Sequence, residues 1–134
     1  MKIQQVSLEW VPRTWPMIEA YIAAAVEHAK GDYNLSHLQA MVSSGQAMLV
    51  VAVEEGVISG AAIVEMFNRP SSRVAFILAL GGRFICNEAS ITQFKNLVAS
   101  FGATSVEAAS RDSVFRLVEQ FGFKQKYKVF AIDI

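Results

Sequence analysis

The chain has one cysteine, Cys86, and two histidines, His28 and His37. A lone thiol excludes an intrachain disulfide and a cysteine-based zinc cluster. Neither histidine has a carboxylate or cysteine at ligand spacing, so no metal site is expected. One free thiol suits a reducing compartment, which makes the expected location cytoplasmic. Charge is scarce and balanced, at 18% of residues with Lys+Arg 12 and Asp+Glu 12. A chain without a basic surplus lacks the face that displaces counterions, so no nucleic acid is expected as a partner. The longest apolar runs, such as 47–53, fall far short of the roughly 20 residues of a membrane span. The first residues, Met1-Lys2-Ile3-Gln4-Gln5, are too polar to open a signal peptide, and no membrane partner is expected. Repeats, low-complexity tracts and linkers are also missing. What is present is apolar substance, 53% of 134 residues. That is enough for one folded domain, 1–134, with a real core, and it excludes a disordered chain.

Periodicity divides the chain into short elements. Residues 2–11 partly alternate and predict a strand with Val6, Leu8 and Trp10 on one face, ended by Pro12. Thr14 or Trp15 caps a first helix, with Pro16 tolerated in its first turn. Ile18, Ile22, Ala25 and Ala29 make its stripe, Tyr21 and Val26 widen it, and Gly31 closes it. A second helix starts near Ser36, where Ser36-His37-Leu38-Gln39 reads as a capping box, and stops at Gly45. The run 47–53 is apolar on both faces, as in a doubly buried strand. Glu54-Glu55-Gly56 turns it into a returning strand, 57–67, and a turn over 68–72 leads to a third, 73–80. A helix starts between Asn87 and Ser90 and carries Ile91, Phe94, Leu97, Val98 and Phe101. A short strand follows over 105–109. Asp112 caps a short helix with Val114, Phe115, Val118 and Phe121, stopped by Gly122, and 123–134 reads as a last strand. The order β-α-α-β-β-β-α-β-α-β requires an α/β (α+β) fold. Its central sheet is mixed and mostly antiparallel, with helices on both faces. The crossover from 73–80 through 88–101 to 105–109 should be right-handed and parallel.

One stretch, 73–102, can carry chemistry. An apolar strand enters Gly81-Gly82, crosses a polar turn and opens a helix. Such a unit can gather backbone N–H groups and a helix N-terminus around an anion. It is equally what any strand-to-helix turn needs, because glycine turns cheaply.

The order resembles the GNAT acyltransferase superfamily. The nearest local match is the short helix Asp112-Ser113-Val114-Phe115-Arg116-Leu117-Val118-Glu119-Gln120-Phe121 followed by Gly122-Phe123. The resemblance covers nearly the whole chain in topology and this segment in motif, and the sequence also resembles small phage-encoded GNAT-like proteins, which have similarly eroded loops. It implies acetyl-CoA as cofactor and an amine, on a small molecule or a protein, as acceptor. It also implies that strands 73–80 and 105–109 splay apart. Pantetheine would pair with the edge of the first, and pyrophosphate would sit on the loop 82–90. The cofactor-binding residues implied are Leu80, Gly81, Gly82, Arg83, Phe84, Ile85 and Asn87. Several positions depart from the family pattern. Ile85 and Asn87 stand where the loop glycines would fall, Arg111 where an asparagine is frequent, and Val118 where many members carry the tyrosine that protonates the leaving thiolate.

Glu65, near the end of an apolar strand beside the implied cleft, is the candidate general base. It also reads as an ordinary solvated strand end. Cys86 would gain thiolate character at a helix N-terminus, or is an inert buried thiol. Arg83 could meet a phosphate, and Arg111 and Lys124 could line the other wall of the cleft. No nucleophile–base–orienter set is visible. Two functions follow: an acetyl-CoA-dependent N-acetyltransferase, or a non-catalytic GNAT-like protein with an eroded cofactor loop that binds another protein. A mean hydropathy of +0.34, with Trp10, Trp15 and Phe130 to place, leads us to expect a homodimer, formed through the last strand.

Overall fold

A computed structural model describes residues 1–28 and 32–134. Ala29 and Gly31, assigned above to the end of the first helix, lie outside the described residues. Five strands form one sheet in the order β1-β2-β3-β4-β5. They are β1 Lys2–Val6, β2 Met48–Glu54, β3 Val57–Arg69, β4 Ser72–Gly82 and β5 Ser105–Ala108. The first three pairings are antiparallel, and β4–β5 is parallel. Helices α1 Val11–Val26 and α2 Leu35–Ser44 cover one face. Helix α3 Glu88–Ser100, the β4–β5 crossover, covers the other, and α4 Asp112–Val118 follows β5.

The meander follows from its turns. Glu55 (φ 51°) and Gly56 (φ 78°) sit in left-handed backbone and connect β2 to β3 as a two-residue hairpin with Glu54 opposite Val57. Both central residues at positive φ match the right-handed twist of the strands. Two core clusters sandwich the sheet. On one side Val11, Trp15, Ile18 and Ile22 of α1 and Leu38 and Val42 of α2 meet Leu49, Val51 and Ile63. On the other, Ile91, Phe94 and Val98 of α3 meet Val50, Val64, Ala75 and Ile77, with Phe84 edge-on to Phe94 at 5.6 Å.

Several boundaries differ from the sequence reading. The first strand stops at Val6, and a 3-10 turn at Leu8–Trp10 leads directly into α1. Leu8 and Trp10 are therefore exposed rather than on an inward face. Helix α1 starts at Val11, not at Thr14 or Trp15. Pro12 is accepted within the first turn, where its missing N–H is not needed. Pro16 then lies inside the helix, and the Thr14 hydroxyl donates to the Trp10 carbonyl at 2.8 Å. Helix α2 is capped by Asn34, not Ser36. The Asn34 side chain accepts the His37 N–H at 2.8 Å, and His37 Nδ1 accepts the Asn34 N–H at 3.2 Å. An asparagine two residues earlier outcompetes the serine because its carbonyl reaches the third helical N–H and histidine can reciprocate. At α4 the N-cap is Arg111, and Asp112 is the first helical residue, where its charge favours the helix dipole.

The largest correction concerns the C-terminus. Residues 123–134, read as the last strand, carry no strand pairing. Their composition suits a strand, but a strand exists only in a ladder, and β5 is the last member of this one. Of the aromatics, Trp15 enters the core, while Trp10 and Phe130 do not.

Removing the ring that α3 seats under the sheet should be costly. Phe94→Ala is expected to lower unfolding free energy by about 3–5 kcal/mol, and Asn34→Ala by about 1 kcal/mol through the lost cap. Urea denaturation monitored by circular dichroism measures both.

Candidate functional site

The site begins where β4 and β5 part. Their ladder runs Val74–Ser105, Ala75–Val106, Phe76–Glu107, Ile77–Ala108 and ends there. From Leu78 to Gly82, β4 keeps its partner β3 and, among the described residues, has no strand on its other side. A bulge marks the place. Ile63 faces Ala79 while Val64 faces Ile77, so Leu78 is the extra residue. A bulge adds local twist and re-aims backbone groups. Here it turns the end of β4 away from β5 and leaves a V-shaped opening with a bare hydrogen-bonding edge.

The glycines Gly81 and Gly82 have a packing reason of their own. A Cβ on Gly81 would stand 2.1 Å from the Tyr21 carbonyl oxygen, and one on Gly82 2.5 Å from the Ser59 carbonyl oxygen. Neither could be relieved without moving backbone. Gly60 is tied to the same knot, since its Cβ would meet the Arg83 carbonyl oxygen at 2.4 Å. The end of β4 is thus clamped between α1 and β3. Arg83 N–H donates to the Ser59 carbonyl at 2.8 Å, and the Ser59 hydroxyl donates to the Arg83 carbonyl at 3.0 Å.

Beyond the clamp the loop turns inward. Phe84 is fully buried, and Ile85, half-buried, packs against the α3-side cluster together with Leu80. Asn87 caps α3: its side chain accepts the Ser90 N–H at 2.8 Å, and the N–H groups of Asn87 and Cys86 both donate to Ser90 Oγ, at 3.1 and 3.0 Å. Three of the amides nearest the helix start are therefore satisfied from within. The capping bonds leave Glu88 and Ala89 as the open first turn, and Glu88 already places a carboxylate at the positive end of the dipole. Arg83 lies outside, paired with Glu54 at 3.2 Å. Exposed pairs of this kind are weak, so its guanidinium is available at small cost. Cys86 is exposed and touches Met1 sulfur at 3.9 Å; it is not buried.

The base of the opening is crossed by one row over three strands. Glu65 on β3 faces Phe76 on β4, which faces Glu107 on β5. Directly paired residues share a face, so two carboxylates flank one ring, one register step from where the strands part. Their surroundings differ. Glu107 takes both arms of the Arg69 guanidinium and the Lys126 ammonium, the latter at 2.9 Å. The Arg69 hydrogen bond, then Lys126, hold its carboxyl down to about 2 against the opposing effect of burial. Arg69 in turn lies over the Phe67 ring at 5.0 Å. Among the described residues Glu65 has only a hydrogen bond from Gln46 Nε2, at 3.4 Å. Of the pair, it is the carboxylate without a cation among the described residues.

Tyr33, in the connection between the first two helices, is the residue that sequence reasoning missed. Its phenol is pushed above its ordinary 10.0 by burial first, then by the negative charges of Glu65 and Asp32. It keeps its proton at neutral pH, and its ring packs against the cluster under α1 and α2. No motif announces it, because the pairing is across the fold. Of the other residues considered, His28 is exposed and His37 belongs to the α2 cap. Arg111 is exposed at the start of α4, and Val118 is half-buried on α4. Lys124 lies in a separate groove between α3 and β5. Among the described residues there is no group of three or more His, Cys, Asp or Glu arranged to hold a metal ion, and no helix is long and apolar enough to cross a membrane.

No protein-family model and no curated protein matches the chain by sequence. Solved structures do match by shape. An aminoglycoside acetyltransferase from an uncultured soil metagenomic sample, in complex with sisomicin, is 16% identical, with 99% of this chain and 95% of that one covered at a TM-score of 0.70. The chain has the GNAT fold. A ribosomal-protein-alanine N-acetyltransferase from Brucella melitensis biovar Abortus 2308 is 13% identical, with 100% of both chains covered at a TM-score of 0.69. AAC(6')-Iy, bound to the bisubstrate analogue CoA-S-monomethyl-acetylneamine, is 14% identical, with 99% of this chain and 97% of that one covered at 0.68. At these identities the likeness is one of GNAT architecture, and the side chains of the site have to be judged by their own geometry.

The Glu107 cluster gives the site a pH signature. A carboxyl depressed from 4.5 to about 2 contributes stability that is complete above 4.5 and is lost as pH falls toward 2. Wild-type melting temperature should therefore drop more steeply between about 4.5 and about 2 than that of Glu107→Gln. Thermal melts in a pH series measure the difference.

Proposed function

We propose that this protein is an N-acetyltransferase that takes acetyl-CoA in the opening between β4 and β5 and acts on an amine. The observation that carries the reading is the bare edge of β4 from Leu78 to Gly82, beginning at a bulge and lying beside an unpaired carboxylate. A free strand edge offers the N–H and C=O groups that an extended pantetheine arm can pair with. Leu80, Gly81 and Gly82 supply that edge. Arg83 would meet the phosphates by releasing Glu54. Phe84 and Ile85 would hold the loop in place from below, and Asn87 would set the helix start. Glu65 has the role of base toward the acceptor amine, directly or through water. Tyr33, protonated, has a donor to orient the acceptor. The three carboxylates Asp32, Glu65 and Glu107 favour a cationic acceptor, on a small molecule or a protein, and of these Glu107 is already engaged by Arg69 and Lys126. Much of the acceleration would come from position, with backbone donors at the opening polarising the thioester carbonyl. Val118 offers no proton to a leaving thiolate, so on this reading solvent would supply it.

The internal capping of α3 favours a second reading. The amides of Cys86, Asn87 and Ser90 are already used, and Glu88 repels a phosphate. On that reading the loop no longer takes CoA, and the protein acts through contact with another protein.

The two readings separate in one titration. Acetyl-CoA at a hundredfold excess over its dissociation constant should stabilise the fold by about 2.7 kcal/mol. Glu65→Gln should keep that stabilisation and lose turnover by about 10²–10⁴-fold, followed by thiol release with a panel of amines. An unchanged melting temperature at millimolar acetyl-CoA would overturn the enzyme reading.

A further inference from the structure

Strand β2 starts late. Its ladder with β3 opens at Met48 opposite Val64, while β3 runs on to Arg69 with β4 as its partner. The chain before Met48 bends away toward α2, where the Ala47 N–H donates to the Met41 carbonyl at 3.1 Å. Over Met66–Arg69, among the described residues, β3 therefore has no strand on the side that β2 occupies further along. Alternate N–H and C=O groups of such an edge are open to another strand. The notch lies at the other end of β4 from the β4–β5 opening, since Met66 pairs with Ala75 and the opening starts at Leu78.

The notch has apolar walls. A groove of about 360 Å³ runs along it. One wall is Leu8 with Val11 and Val42 of the first two helices. The other is Met48 and Met66, which pack toward α3, with Phe101 at the end of that helix. Leu8 is 57% and Phe101 41% exposed, so apolar surface faces solvent on both sides of the bare edge. Among the described residues that line the groove, Arg73 is the one that carries charge. It stands opposite Asn68 in the β3–β4 ladder. Its Nη1 donates to Asn68 Oδ1 and its Nε to the Phe101 carbonyl, both at 3.0 Å. The Asn68 bond draws the guanidinium from β4 onto β3, the strand with the bare edge. Among the described residues Nη2 makes no hydrogen bond, and no carboxylate pairs with Arg73.

We propose that this notch binds an extended peptide segment of another protein, which adds to β3 in the track that β2 vacates. The register fixes its chemistry. Residues level with one another in adjacent strands share a face. The peptide residue level with Asn68 meets the free Nη2 of Arg73 and is acidic. The residue level with Met66, two positions along, lies on the Met48–Phe101 wall and is apolar. A direction antiparallel to β3 continues that of β2 and gives the order acidic, any, apolar. Charge selects this occupant, because a groove with one cation and no carboxylate favours an acidic segment over a basic one. The bare backbone selects a strand over a compact small molecule. A partner docked here leaves the β4–β5 opening free, and the inference does not rest on acetyl-CoA.

The test uses N-terminally fluorescein-labelled peptides Ser-Thr-X-Val-Leu-amide with X as Glu, Gln or Lys, titrated against the full chain by anisotropy. Affinity should fall in the order Glu, Gln, Lys, with about tenfold between first and last. Arg73→Gln should level the three. Leu8→Asp, on the exposed rim, should weaken the Glu peptide by about tenfold and serves where Arg73→Gln loosens the end of α3. Circular dichroism verifies both folds. Amide exchange over Met66–Arg69 should slow when the Glu peptide binds. No binding of the Glu peptide at millimolar concentration overturns the proposal. So does binding that ignores X, or that leaves the amides of 66–69 unprotected. A wild type that is dimeric by light scattering, with those amides protected before peptide is added, places a second copy in the notch and overturns it as well.

Discussion

β4 stands in two ladders along its first half and in one along its second, and the rest of the molecule is arranged around that difference. Over Val74–Ile77 it is a central strand with β3 on one side and β5 on the other. At Leu78 an extra residue enters, the twist increases and β5 is left behind. An open strand edge in the middle of a sheet exposes unpaired backbone groups. It persists because both flanks are held independently. The end of β4 is locked by the Gly60–Gly81–Gly82 contact with Tyr21 and Ser59, where no side chain would fit. β5 is held by the crossover helix above it, whose Phe94 and Val98 are buried against the sheet. The opening is a consequence of two rigid attachments that point in different directions.

The same geometry sorts the charged groups. Glu65 and Glu107 occupy equivalent places in one row on either side of Phe76. One is neutralised by two cations and fixes the outer strand to the end of β3; the other is left with an amide partner. Two carboxylates in one row therefore sit in different electrostatic surroundings, because Arg69 reaches across to one side only. On the far side of the sheet the start of α3 is nearly self-sufficient, with Asn87 and Ser90 satisfying each other. Fold and loop thus speak differently about the cofactor: the sheet is open for an extended chain, and the loop has closed around itself. GNAT architecture by itself does not resolve this, since one fold carries many functions.

Much of this organisation was legible in the residues. Apolar runs of strand length and turn chemistry gave the meander, because in a covered sheet the apolar pattern and the hairpin residues act locally. The α3 stripe of Ile91, Phe94 and Val98 and the stop at Gly45 were equally plain, each set within a few residues of chain. The parallel partner of β4 followed from the rule that a strand–helix–strand unit crosses over. Positions decided by competition were less legible. Asn34 won the cap from Ser36, and α1 ran back through Pro12 to Val11, because the outcome depended on which hydrogen bonds each start could complete. Gly81 and Gly82 were visible as a turn, but their neighbours Tyr21 and Ser59 are far away in sequence.

The sequence by itself determined the class of fold, the order of its elements and the stretch in which a ligand loop could lie, since each rests on periodicity and turn preference within a short window. Only the tertiary structure decided where β4 parts from β5, which of two carboxylates is held by Arg69 and Lys126, that the charge of Glu65 acts on Tyr33, and that residues 123–134 carry no strand pairing in their own sheet. Those are contacts between segments distant along the chain. A strand-like sequence states that a segment can join a ladder. Whether an edge is vacant to receive it, and on which molecule, is a property of the assembled surface.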